Sequence, residues 1–181
     1  MAKALANRLK TTLPDTVAEN QMTFIKGRQI SNAILIANEA IDTWKQRKTK
    51  GFVLKLDIEK ALDKISWSFI DFMLAKKNFP IKWRKWINAC ISNIQYFILI
   101  NGTPKGRIKA ERGIRQSDPI SPLIFVLAMD YLSRLLSHLE ARRAIKRVSL
   151  SNNYNISHLL FADDVLIFVE NNDKYLNNPQ I

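Results

Sequence analysis

The sequence predicts an α+β fold in which helices pack against antiparallel hairpins. Three observations point there. Apolar residues recur at helical spacing over long stretches of the first half of the chain. Short runs rich in Val, Ile, Leu and Phe are bounded by turn residues. The two kinds of segment are mixed along the chain and do not alternate as regular strand–helix units. The chain has 181 residues, 47% of them hydrophobic, which is enough for one sizeable core. There is no internal repeat or low-complexity linker, so a single domain is expected.

The elements follow in order. Residues 2–13 read as a helix that ends before Pro14. Ile30, Ile34, Ala37, Ile41 and Trp44 recur at helical spacing, which predicts an amphipathic helix over 30–48. Residues 52–57 read as a strand that starts after Gly51 and closes on Asp57. Ser66 is a suitable N-cap for a helix that turns Trp67, Ile70, Met73 and Leu74 inward. Pro80 suits the first turn of the next helix, which carries Trp83, Trp86, Ile87, Cys90 and Ile91. The Trp residues read as core in preference to base-stacking platforms. Asn101-Gly102 is a hairpin signal between strands at 96–100 and 107–111. A long helix follows, starting near Ser121-Pro122 and running to about Glu140. Short strands then surround Asp163.

Composition narrows the function classes. The net charge is +12. Residues 151–181 hold four acids and one base, so the first 150 residues carry +15. Basic residues cluster at 45–50, 76–85, 105–115 and 142–147. Such a field suits a polyanion, because neutralising phosphates releases counterions; a lysine-rich solvated surface would give the same count. The lone Cys90 excludes an internal disulfide or a thiolate zinc cage. His138 and His158 lack metal-motif spacing and read as structural or surface residues. No uninterrupted apolar run reaches the ~18 residues of a membrane span, and the first residues lack the apolar core of a secretory signal. A nuclear or cytoplasmic location fits, without a choice between them.

Chemistry is concentrated in carboxylates. Phe161-Ala162-Asp163-Asp164 lies between two strand-like apolar runs, which puts the acid pair at a hairpin turn. The pair is either a solvated tip or a magnesium site, since hard divalent cations prefer carboxylate oxygen. Asp57 at its strand end would supply a further ligand if it meets the hairpin, or else merely begins a turn. Two ions held ~3.5–4 Å apart can clamp the attacking and leaving oxygens of a phosphoryl displacement. Val53, Lys55 and Asp57 share a strand face, and a lysine there argues against a plain dry core.

These residues carry a resemblance. The segment from Leu54 to Trp67 resembles the first palm motif of reverse transcriptases from non-LTR (LINE-type) retrotransposons, Gly113 to Pro122 the second, and Phe161 to Asp164 the third. Asn7-Arg8-Leu9, Gln21, Phe24 and Lys26-Gly27-Arg28 resemble their fingers segment. The motifs come in family order across nearly the whole chain, in wording closest to plant elements. Four ordered motifs are far more specific than any one.

The resemblance implies the fingers and palm of a right-hand polymerase, with 1–50 fingers-like and 51–181 mostly palm, carrying an inserted hairpin at 95–111. It implies an RNA-directed DNA polymerase that takes an RNA template, a DNA primer and deoxynucleoside triphosphates. Two Mg²⁺ ions (Mn²⁺ as a possible substitute) would sit on Asp57 and Asp163, with Asp164 in support. Gln116 would lie along the incoming nucleotide, Arg115 near phosphate, and Lys26 and Arg28 near the triphosphate. Leu62 takes the place of the steric gate that excludes a 2′-hydroxyl, usually Phe or Tyr in the family. Ser117 stands where the family usually has glycine, a concern if that position needs φ > 0. Only 17 residues follow Asp164, too few for later palm strands and a thumb. The expectation is therefore a fragment lacking the thumb, of weak or no activity. The alternative is a non-catalytic nucleic-acid-binding remnant of a transposon reading frame. An RNA-templated RNA polymerase is disfavoured by the motif wording.

Overall fold

A computed structural model of the chain describes residues 1–92, 94–142, 148–150 and 155–170. The element order is α1 (Ala2–Thr16), α2 (Ile30–Gln46), β1 (Gly51–Asp57), α3 (Ala61–Lys64), α4 (Trp67–Lys76), α5 (Ile81–Ile91), β2 (Gln95–Ile100), β3 (Thr103–Lys109), α6 (Ser121–Ala141), β4 (Val148–Ser149), β5 (Asn155–Ile156), β6 (His158–Phe161) and β7 (Asp164–Glu170). Part of the basic cluster at 142–147 lies outside the described residues.

The central sheet is antiparallel with strand order β1-β7-β6. Strand β7 is apolar on both faces, so it is buried between two layers. Its Val165 and Ile167 pack into a core with helices α1, α4, α5 and α6. Its Leu166 and Phe168 turn the other way, toward Ala33, Ala40 and Trp44 of α2 and toward Val148 and Ile156 of the β4–β5 pair. The two-residue period of a strand thus serves two separate cores. The helical layer leaves the edge strand open: Phe52, Leu54 and Leu56 of β1 stay 48%, 43% and 40% exposed.

Local signals explain most boundaries. The Ser66 hydroxyl accepts from Phe69 N–H at 3.0 Å and starts α4 as its N-cap. Asn101 and Gly102 both have positive φ and close a two-residue hairpin turn. That register pairs Ile100 directly with Thr103, so β3 begins at Thr103 and not at Arg107. The pairing shifts between Tyr96 and Ile98, opposite a stretch that includes Gly106 at φ +67. The Trp reading holds: Trp67, Trp83 and Trp86 pack against the main core.

Two further sequence expectations are corrected. Helix α1 continues past Pro14 to Thr16, because a proline in the last turn withholds only the N–H that would serve exposed Lys10. The buried stripe of α2 is Ala33, Ala40, Thr43 and Trp44, while Ile30 and Ile34 are 52% and 54% exposed. Both stripes have helical spacing, and only the position of the sheet decides which one is covered.

Helix α6 is the core helix. Among the described residues it alone has the length and apolarity of a membrane span, yet most of its apolar stretch is buried within the fold. It carries one fully buried acid, Asp130, on which three elements converge. Asp130 Oδ1 accepts from the Ala18 N–H at 2.8 Å, just beyond α1. Its Oδ2 takes Arg134 Nε at 2.8 Å and the Lys77 ammonium at the end of α4. Lys77 also donates to Thr16 O at 2.9 Å. His158, also buried, has a serine hydroxyl 2.9 Å from each ring nitrogen, Ser133 on Nε2 and Ser157 on Nδ1, and so is structural.

Burial pushes the Asp130 carboxyl up, but the hydrogen bonds from Lys77, Ala18 and Arg134 outweigh it and hold it below its ordinary 3.8. A depressed carboxyl stabilises the fold above its unfolded value and loses that contribution as pH falls through the folded value. We therefore expect Asp130→Ala to destabilise by about 3–5 kcal/mol in urea unfolding at neutral pH, since it strands the Lys77 charge. Its stability should also depend less on pH below about 4 than that of the parent chain. An unchanged urea midpoint would refute the role of Asp130 as a hub.

Candidate active site

The acidic hairpin is built by main-chain pairing on both sides of it. On one side, the segment after α1 joins β6: Met22 N donates to Leu160 O at 2.9 Å and Leu160 N to Asn20 O at 2.9 Å. On the other side, β1 runs antiparallel to β7 from Gly51–Glu170 to Asp57–Asp164. The β6–β7 turn consists of Ala162, at φ +53, and Asp163. Its Ala162 N–H donates to Thr23 Oγ1 at 2.8 Å, which ties the turn to the segment leading into α2.

The acid pair is split by this geometry. Asp163 is exposed on the turn, and Asp164 is the first residue of β7, directly across from Asp57. Lys55, two residues before Asp57, forms an ion pair with Asp164 Oδ1 at 3.0 Å. The hydrogen bond and charge of Asp164 raise the Lys55 pKa first and most, and the charges of Asp57 and Asp163 add to it against desolvation. All three carboxylates therefore act on one ammonium. The lysine flagged from strand alternation is their counter-charge.

Asp163 faces a cavity of about 310 Å³ together with Phe24, Leu62, Gln116, Phe125 and Ala162. Asp164 lines a different hollow, with Lys55, Phe161 and the exposed Ile30–Ile34 stripe of α2. Neighbouring aspartates thus serve opposite sides of the hairpin.

Leu62 and Gln116 come from distant segments and are clamped together. Gly113 N donates to Ile65 O at 2.8 Å, Ile114 N to Leu62 O at 2.9 Å, and Trp67 Nε1 to Gly113 O at 2.7 Å. A Cβ on Gly113 would meet the Asp63 carbonyl oxygen at 2.8 Å. Glycine is required here both by this close approach and by φ +88. Ser117 has no positive φ, so the serine brings no backbone strain at this position.

Other expected contacts are placed elsewhere. The Arg28 guanidinium is committed to main-chain carbonyls, donating to Ala18 O at 2.6 Å and Gln21 O at 2.7 Å. Lys26 is exposed and does not line the cavity. Arg115 is exposed, in an ion pair with Asp118 at 3.5 Å, and does not line the cavity either.

Across residues 1–181 the chain matches the family described as reverse transcriptase (RNA-dependent DNA polymerase). The chain belongs to the reverse transcriptase family. It is 30% identical over 175 residues to a retrovirus-related Pol polyprotein of a type-1 R2 retrotransposable element from Popillia japonica, covering 96% of this chain and 24% of that one. It is 29% identical over 170 residues to the corresponding Nasonia vitripennis protein, covering 93% and 16%. An uncharacterised mitochondrial protein of Arabidopsis thaliana is 39% identical over 75 residues, 41% of this chain and 62% of that one. The chain thus spans less than two thirds of each of these relatives. The fold is similar to part of the telomerase from Candida albicans, with a TM-score of 0.61 at 10% identity over 96% of this chain and 29% of that one.

Reverse transcriptases work with divalent metal ions, and the donors here suit one, since carboxylate oxygen is the ligand that hard cations prefer. Among the described residues, however, no three Asp, Glu, His or Cys side chains converge on a common point. In the reverse transcriptase fold of this chain, Phe24 and Phe125 are the aromatic cavity residues, and sequence reasoning gave neither a role in the site. Phe24 was visible only as part of the fingers resemblance, and Phe125 only as an apolar position of a helix.

The clamp yields a controlled comparison. Gly27 has nearly the same φ, +87, but open space around it. Gly113→Ala should therefore lose at least ~1 kcal/mol more stability than Gly27→Ala, the excess being the overpacking contribution. Equal losses by urea unfolding would show that the contact with Asp63 is unimportant.

Proposed function

We propose that this chain carries the nucleotide-binding and catalytic face of RNA-templated DNA synthesis. The observation that carries the proposal is the β1–β7 register. It sets Asp57 opposite Asp164 and leaves Asp163 on the adjoining turn, at the mouth of a cavity that also holds Leu62 and Gln116. In this reading residues 1–50 are fingers-like and 51–181 mostly palm, with the β2–β3 hairpin as an insertion.

The substrates are an RNA template, a DNA primer and a deoxynucleoside triphosphate. Asp57 and Asp163 would hold two Mg²⁺ ions, for which Mn²⁺ can substitute, and Asp164 supports them from the neighbouring face. Bound there, the ions would neutralise charge on the reacting phosphates. The protein's own part is positioning, since phosphoryl transfer asks little covalent chemistry of it. Lys55 holds Asp164 by their ion pair and keeps three like charges tolerable at one strand end. Leu62 and Gln116, fixed by the Gly113 clamp, form the wall against which sugar and base rest. Lys26 and Arg115 are both exposed and would reach phosphate, Arg115 by giving up its ion pair with Asp118. The basic excess of the first 150 residues would track the nucleic-acid backbone.

A second reading, binding without catalysis, is favoured by the lack of three converging ligands among the described residues and by leucine at the gate. Primer extension on an RNA template separates the two. We expect slow Mg²⁺-dependent extension that falls by ~10²-fold or more in Asp163→Asn, the scale of losing one electrostatic stabiliser. RNA–DNA hybrid binding should survive that change and weaken steeply with salt, with each neutralised phosphate contributing ~0.9 to the log–log slope on duplex DNA. Salt-sensitive binding with no extension would select the second reading, and a flat salt response would remove both.

A further inference from the structure

Position 62, the gate in the family's motif, is a leucine, yet the cavity it lines is not without an aromatic wall. Phe24 lines the same cavity, as do Ala162 and Asp163. Its placement is determined by its neighbours. Asn20 and Met22 are hydrogen-bonded to Leu160 of β6, and the Thr23 hydroxyl holds the Ala162 N–H of the acidic turn. The chain then turns sharply at Phe24, which has φ +57. A bulky residue in the left-handed region is uncommon and strained, and such strain persists only where surrounding structure enforces it. The ring is 52% exposed. A strained backbone that leaves an aromatic side chain half exposed at a cavity recovers only part of its cost from burial, so the placement points to a ligand.

We propose that Phe24 supplies the aromatic wall that Leu62 lacks and so sets the preference of this cavity for a deoxyribose over a ribose. The proposal rests on reading the cavity as a nucleoside triphosphate site. The ring and Leu62 would bound the sugar from two distant segments, one tied to the acidic turn through Thr23 and the other to the segment before α6 through Ile114. A 2′-hydroxyl would then be excluded by two partial walls where a single Phe or Tyr at position 62 would suffice. Phe125 of α6, only 5% exposed, forms the floor and is less free to discriminate.

The test compares Mg²⁺·dATP with Mg²⁺·ATP on the full chain, by calorimetric binding and by single-nucleotide incorporation on an RNA template. Phe24→Gly removes the ring and tolerates φ +57 without strain, and Phe24→Leu keeps apolar bulk without a ring. Far-UV circular dichroism confirms that each variant is folded. We expect both variants to lose about tenfold of the deoxyribose preference, the scale of one group in a pocket. We expect Leu62→Phe, added to either, to restore it. A parent chain that binds both nucleotides, with a preference unchanged in Phe24→Gly and Phe24→Leu, would overturn the role of Phe24 and leave the polymerase reading standing. A parent chain that binds neither nucleotide would overturn both.

Discussion

The antiparallel pairing of β1 with β7 is the constraint on which the rest of this structure depends. It joins two segments far apart in sequence and does so in one register, from Gly51–Glu170 to Asp57–Asp164. A slip of one residue would exchange the faces of β7, sending Phe168 toward the helical layer and Val165 toward α2. Both cores would be lost together, and Asp57 would no longer stand across from Asp164. The burial of β7 on two faces therefore fixes the geometry of the acidic site. Stability and site placement rest here on the same set of side chains.

What was legible in the sequence follows from this. Strongly local signals were read correctly: the strand ending at Asp57, the serine cap at Ser66, the Asn101-Gly102 turn and the apolar helix after Ser121. Each rests on residues within a few positions of one another. The mixed α+β class followed from the two hydrophobic periods along the chain, and the family from ordered motifs. What could not be read depends on distant partners. The covered stripe of α2 is chosen by the sheet, and the start of β3 by a turn register. Nothing near Arg28 in sequence announces that its guanidinium will be taken by the carbonyls of Ala18 and Gln21. Within the site, the aspartates and a supporting place for Asp164 were expected from the sequence, but the separate hollows that Asp163 and Asp164 line needed the hairpin geometry.

The site is also joined to the helical layer. The Gly113 clamp binds the loop around Leu62 to the segment that leads into α6, and α6 is anchored through Asp130 to the ends of α1 and α4. A buried acid with three donors is costly to leave unpaired, so these helix ends have one favoured arrangement. From α1 the chain passes directly to the Asn20–Thr23 segment that supports the acidic turn. The two sides of the cavity that Asp163 lines are thus both referred to the same buried carboxylate.

The central claim is that Asp57 and the Asp163–Asp164 hairpin form one divalent-metal site. Iron-mediated cleavage tests it most directly, because Fe²⁺ bound in place of Mg²⁺ generates hydroxyl radicals that cut the nearest backbone. With Fe²⁺, ascorbate and peroxide, the account predicts chain cleavage both near residue 57 and near residues 163–164, with both cuts suppressed together by excess Mg²⁺. Cleavage at only one of these segments, or at neither, would contradict it.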